Sequence, residues 1–191
     1  MKHVNLKISA IALAAALATS AHAASLTASA GLVNNRISGH GDQLAASLSL
    51  AAYANDSSVP LAAHLNALAG IGAVGDSLDS ESIGAGLYER AGAWTVEPGL
   101  EIGREHVTGQ SSNHWAGTLR AAYQVNPSVA LTSKLAFGRS DGLLGSAYGA
   151  AGLGVVFADG KGGQVSVAYQ HVRDGSLSGQ NMLGVSYTRA F

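Results

Sequence analysis

The chain has no cysteine, little charge and no long apolar run, and each shortage excludes something. Without cysteine there is neither a disulfide framework nor a thiolate metal site. Charged residues make up 12% of the 191, about half the share of an ordinary soluble domain. No stretch of 18 or more apolar residues occurs, so a helical membrane span is excluded. Yet 47% of the residues are apolar, which also excludes disorder. What is there is a glycine-rich chain, with 25 glycines, that is apolar overall but never apolar for long.

The first residues read as an export address. Lys2 and Lys7 flank the start of an apolar core, Ile8 to Ala18, too short to span a bilayer, and Ala21-His22-Ala23 has the small-x-small form of a secretory cleavage site. Two segments are expected, a signal peptide over 1–23 and a mature domain over 24–191. Without Lys2 and Lys7 the mature chain has nine basic and twelve acidic residues, a net charge of −3. Nothing in that balance favours nucleic acid.

From Ala24 onward the pattern alternates with a period of two, the signature of strands. Leu44, Ala46, Leu48, Leu50 and Ala52 share one parity; Ala45, Ser47, Ser49, Ala51 and Tyr53 share the other. Ten strands are predicted, over about 25–34, 43–54, 61–74, 82–91, 93–106, 113–124, 129–140, 146–158, 164–173 and 181–191, with eight as the alternative count. Most exceed the five or six residues of a globular strand and match the ~9–11 of a tilted membrane strand. Polar connections at Asn34–Asp42, Gly75–Glu81, Val107–Ser112, Ser140–Gly145 and Asp174–Gln180 alternate with tighter ones such as Ala91-Gly92. That is the layout of an up-and-down transmembrane β-barrel, all-β and antiparallel, with both termini at the short-turn, periplasmic end. A soluble β-sandwich also alternates, but its outer face needs Lys, Glu, Thr and Gln. Here the face opposite the apolar one is mostly Ala, Gly and Ser, which suits a narrow lumen. Proline lacks an N–H and is normally excluded from paired strands, so Pro98 predicts a break or a shortened fifth strand.

The aromatics fit two interfacial girdles: Trp94, Tyr123, Phe157 and Phe191 near short turns or the terminus, Trp115 and Phe137 near the other end. On the lumen parity lie Glu97, Glu101 and Glu105, spaced by four, with Arg90, Arg120, Lys134, His64 and His114 on neighbouring strands. Such an inventory predicts a salt-bridged network, since charges withdrawn from water need partners. It serves either to fill the interior or as a charged constriction for ions or small solutes. An eight-stranded barrel is nearly filled by its side chains, but inward glycines, Gly70, Gly72, Gly84, Gly86, Gly103, Gly138, Gly152 and Gly154, leave room for water. Arg104, Arg139 and His171 lie near the outer strand ends, where lipopolysaccharide phosphates would meet them or where they are plain solvated charges.

The last strand, Leu183-Gly-Val185-Ser-Tyr187-Thr-Arg189-Ala-Phe191, resembles the insertion signal of Gram-negative outer-membrane barrels. Leu183, Val185, Tyr187 and Phe191 match it, and Arg189 departs from the usual apolar third-from-last position. The resemblance implies outer-membrane localisation and a passing encounter with the barrel-assembly machinery. Size and layout are similar to the YfaZ-type family of small outer-membrane proteins, which implies no particular activity.

Enzyme chemistry is not expected. Lipid-cleaving barrels resembling known families carry a His and a Ser two apart, and His171-Val172-Arg173 lacks the serine. His106-Val107-Thr108 has the spacing but the wrong parity. Glu101 and His114 would serve as an acid–base pair, or equally as network members. No histidines have metal-ligand spacing, so no metal or cofactor is expected. The expected function is a small, monomeric, porin-like envelope barrel with a structural role. A narrow channel is the alternative; an adhesin is disfavoured because the loops are short, and a lipid hydrolase for want of its motif.

Overall fold

In the computed structural model the described residues are 24–39, 41–54, 60–71, 78–107, 110–141, 145–175 and 179–191. The expected signal peptide, its cleavage point and Gly72 lie outside them. Eleven strand segments form one sheet: β1 (Ala24–Ile37), β2 (Gly41–Ala54), β3 (Leu61–Gly70), β4 (Leu78–Leu87), β5 (Glu89–Ala91), β6 (Trp94–Val107), β7 (Gln110–Asn126), β8 (Val129–Ser140), β9 (Ala147–Ala158), β10 (Gly163–Asp174) and β11 (Gln180–Ala190). Each pairs antiparallel with its chain neighbours, except that β4 and β5 pair in succession with β6 and form one interrupted stave. The first and last strands pair from Thr27↔Ala190 to Ile37↔Gln180. The result is a closed ten-stave antiparallel barrel, the transmembrane up-and-down class.

Closure follows from the alternation. A strand exposing apolar side chains on one face has to give that face to lipid, and lipid supplies no hydrogen bonds, so no edge is left open. Leu100, Ile102, Phe137 and Leu153 point outward at 67%, 60%, 68% and 70% exposure, values a water-facing sheet would not sustain. Every exposed large apolar side chain among the described residues sits on this outward parity.

Three expectations change. First, β6 runs through Pro98 without a break, keeping its ladder to β7 through Pro98↔Leu119. The gap falls on the other neighbour, where pairing with β6 lapses between Gly86↔Gly99 and Glu89↔Val96. Proline removes one donor on one side only, so the lesion belongs to the partner stave. Second, the connections expected at Asn34–Asp42 and Val107–Ser112 are mostly strand, since β1 continues to Ile37 and β7 begins at Gln110. Asn35 and Ile37 hold the inward parity and are buried, so residues read as a polar loop are lumen lining. The expected contrast between long and short ends shrinks accordingly. Third, Asp174 is the last residue of β10 and is buried, where a loop residue was expected.

Candidate functional site in the lumen

Glu97, Glu101 and Glu105 all point into the barrel from β6 and are buried. Register decides their company. Glu97 stands opposite Arg120 on β7, which stands opposite Lys134 on β8. Glu97 Oε1 accepts from His64 Nε2 at 2.7 Å and from Arg120 Nη1 at 2.8 Å. Glu101 Oε2 accepts from Arg120 Nη2 at 2.9 Å and from Lys134 Nζ at 2.8 Å, and its Oε1 lies 3.0 Å from the same Nζ. Two carboxylates thus meet two permanent cations in one chain of bonds across three neighbouring staves, β6, β7 and β8, and His64 reaches it from β3.

Glu105 and Arg90 do not join it. Four residues further along a strand is about 13 Å, beyond the reach of Lys134 from Glu101. Glu105 instead accepts from Gln180 Nε2 at 3.0 Å, and Gln180 Oε1 accepts from Asn35 Nδ2 at 2.8 Å. Beside them Asp174 accepts from Ser112 Oγ at 2.9 Å and Ser140 Oγ at 2.6 Å. Asp174, Asn35 and Gln180 were missed by sequence reasoning because they sit in polar runs that look like turns; only their inward parity marks them. Arg90 faces the lumen opposite Thr95, exposed near the turn end.

His114 lies between the two clusters. Its ring stacks on Tyr148 at 4.1 Å with a 5° tilt, and its Nε2 is 3.8 Å from Glu101 Oε1, too far for a hydrogen bond. A Cβ at Gly103 would stand 2.6 Å from the His114 Cε1, so glycine opposite is what lets the imidazole lie flat. Around this layer the barrel carries a small internal core of Ala116, Ala136, Tyr148, Ala150 and Val172. Towards the loop end Asn35, Ile37, Ser112, Ser140 and Val172 are each at most 1% exposed.

The opposite wall, from β10, β11, β1 and β2, carries hydroxyls. Ser29 bonds Thr188 at 2.6 Å and Ser166 bonds Ser186 at 2.7 Å across the ladders. Against it a cavity of about 580 Å³ occupies the turn half of the lumen, lined by Ser25, Thr27, Tyr53, His64 and Arg90. A second, of about 330 Å³, lies beside Glu101, Glu105 and His114, and both touch Ser49 and Asn66.

On the outer surface, Trp94 and Tyr123 face each other across β6 and β7 with rings 4.8 Å apart. Phe157 and Phe191 lie at the same turn end, while Trp115 and Phe137 lie nearer the loop end, all exposed. Two tyrosines extend the bands: Tyr187 reaches Asp159 Oδ2 at 3.3 Å, and Tyr169 donates to Asn181 Oδ1 at 2.7 Å. Leu183, Val185, Tyr187 and Phe191 are all exposed on the outward face. Arg104 is exposed opposite Glu81, Arg139 donates to the Gly145 carbonyl at 2.9 Å, and His171 Nδ1 lies 2.9 Å from Asn181 Oδ1.

No family model matches the chain, and no curated protein matches it. Among solved structures, the β-domain of the Bordetella autotransporter BrkA aligns with a TM-score of 0.52 at 14% identity, covering 88% of this chain and 100% of that one. Neisserial surface protein A gives 0.43 at 14%, covering 88% and 97%. The COG4313 outer-membrane channel from Pseudomonas putida F1 gives 0.49 at 10%, covering 88% and 95%. At such identities the likeness concerns fold alone, and the first of the three carries it: a closed membrane barrel.

Proposed function

We propose that this chain is a plugged outer-membrane barrel with a structural role in the envelope. The observation that carries the reading is a filled layer at the loop end of the lumen, where Ile37, Val172, Ser112 and Ser140 are at most 1% exposed. A conducting path needs wetted walls along its whole length, and these residues, outside the lining of the 330 Å³ cavity, are packed like a protein interior. Below it the Glu97–Arg120–Glu101–Lys134 chain ties three staves together.

A narrow channel for ions or small solutes is the second reading, favoured by the hydroxyl-lined space beside the ion pairs. Planar-bilayer recording of the folded protein separates the two. Silence over wide voltages, with heat-modifiable gel mobility confirming the fold, supports the structural barrel. Discrete steps whose cation preference changes in Glu101→Gln support the channel.

The same reading sets the termini and short turns towards the periplasm and has the terminal segment through Phe191 recognised by the assembly machinery. Arg104, Arg139 and His171 would stand at headgroup level beside Trp115, Phe137 and Tyr169, where lipopolysaccharide phosphates accept from cationic side chains. Replacing both arginines by Gln should then lower folding yield into lipopolysaccharide-bearing vesicles but not into phosphatidylcholine. Export through a signal peptide over 1–23, a monomeric state and kinship with YfaZ-type small barrels belong to this proposal. So does the absence of enzymatic activity.

A further inference from the structure

Arg90 stands on the inner wall at the turn end, faces into the 580 Å³ cavity, and takes no part in the ion pairs of the plug. His64 lines the cavity and bonds Glu97 behind it, a carboxylate that Arg120 also holds. Hydroxyls of Ser25, Thr27 and Thr95 and the amide of Gln164 line the walls. On one side Tyr53 meets Tyr88 edge-on, with centroids 5.6 Å apart, and His64 at 5.8 Å. The Tyr88 hydroxyl is committed to the Ala54 carbonyl at 3.2 Å, which fixes that ring as wall.

We propose that this turn-side cup is a binding site for a small hydroxylated carboxylate, with the carboxylate on Arg90, the hydroxyls on the Ser/Thr wall and the carbon face against the tyrosines. The volume falls in the range of small-molecule sites, which pair an apolar wall with a few fixed polar groups. The charge of the cup selects the sign: Glu97, behind His64, is compensated by Arg120, so among the described residues lining the cup Arg90 is the cation left for a guest, and a guanidinium takes a carboxylate through two parallel hydrogen bonds. The surrounding hydroxyls both donate and accept, which suits a polyol and does little for a bare anion. The inference rests on the closed barrel and holds whether or not the protein conducts.

The test is ligand-detected NMR titration of the folded protein in detergent micelles with gluconate, sorbitol and acetate. Gluconate is expected to bind in the millimolar range, with sorbitol and acetate each about tenfold weaker or worse, and Tyr53 and Tyr88 ring signals should shift with gluconate. Arg90→Gln should weaken gluconate about tenfold and bring it level with sorbitol, and Arg90→Lys should restore part of the loss. Heat-modifiable mobility of each variant reports the fold separately, so a folded protein that fails to bind counts against the cup and leaves the barrel reading standing. Gluconate binding no tighter than sorbitol or acetate, or unchanged in Arg90→Gln, would overturn the proposal.

Discussion

Glu101 and Glu105 leave the same strand on the same face, two inward positions apart, and are solvated by the protein in opposite ways. Glu101 is met by full charges, Arg120 at 2.9 Å and Lys134 at 2.8 Å. Glu105 and its neighbour Asp174 are met by neutral donors, an amide and two serine hydroxyls. The difference follows from register. At the level of Glu97 and Glu101, β7 and β8 present long basic side chains directly opposite each other. At the level of Glu105 they present Ser112 and, one stave on, Ser140. Mid-lumen is therefore a charge-compensated tie between staves, and the loop end is a hydrogen-bonded lid over a small apolar core.

Breaking the tie should have the largest effect. Arg120→Gln leaves Glu97 and Glu101 each short of a cation, and removing one partner of a buried pair costs about 3–5 kcal/mol; urea unfolding in lipid vesicles should show that loss. Gly103→Ala attacks the layer between the two regions, because the new methyl would overlap the His114 ring and the Glu81 carbonyl. Overpacking of this kind costs about 1–3 kcal/mol, and the near-ultraviolet dichroism of the Tyr148–His114 stack should weaken with it. In the lid, Ser140→Ala deletes one donor to Asp174 and should cost about 1.5–3 kcal/mol, near the lower figure because Ser112 still donates to the same carboxylate. A loss as large as that of Arg120→Gln would erase the distinction between tie and lid.

The smallest effect is outside both regions. Asp159, in the turn between β9 and β10, accepts from the backbone N–H groups of Lys161 and Gly163, which hold its carboxyl below the usual range. A depressed folded value means the stabilisation is present above the unfolded value and is lost as pH falls through the folded one. Asp159→Asn should therefore flatten the acid side of the stability profile slightly and leave neutral pH nearly unchanged, as followed by tryptophan fluorescence.

The outside of this barrel was more legible than the inside. Alternation gave the strands, the outward face and the parity of Glu97, Arg120 and Lys134, because lipid enforces one rule on every outward position. The lumen has no such rule: which inward polar residues meet depends on stagger between staves, and that is invisible in one strand at a time. Glu105 was therefore grouped with Glu101 by spacing alone, and Arg90 with Arg120 by charge alone. Asn35, Asp174 and Gln180 looked like loop residues because polar side chains at a strand end read the same whether they face water or a buried lid. Pro98 misled in another way: its missing donor is real, but the gap appears on the neighbouring stave.

The central claim is that the mid-lumen charges are a mutual tie, and a double-mutant cycle on Glu101 and Lys134 tests it most directly. Lys134 meets Glu101 through both carboxylate oxygens, and Glu101→Gln with Lys134→Gln removes one charge of each sign while leaving Arg120 on Glu97. The account predicts that each single variant unfolds at lower urea, that the double variant recovers most of the loss, and that the coupling is about 1–3 kcal/mol. Additive losses, with the double variant weaker than either single one, would contradict it.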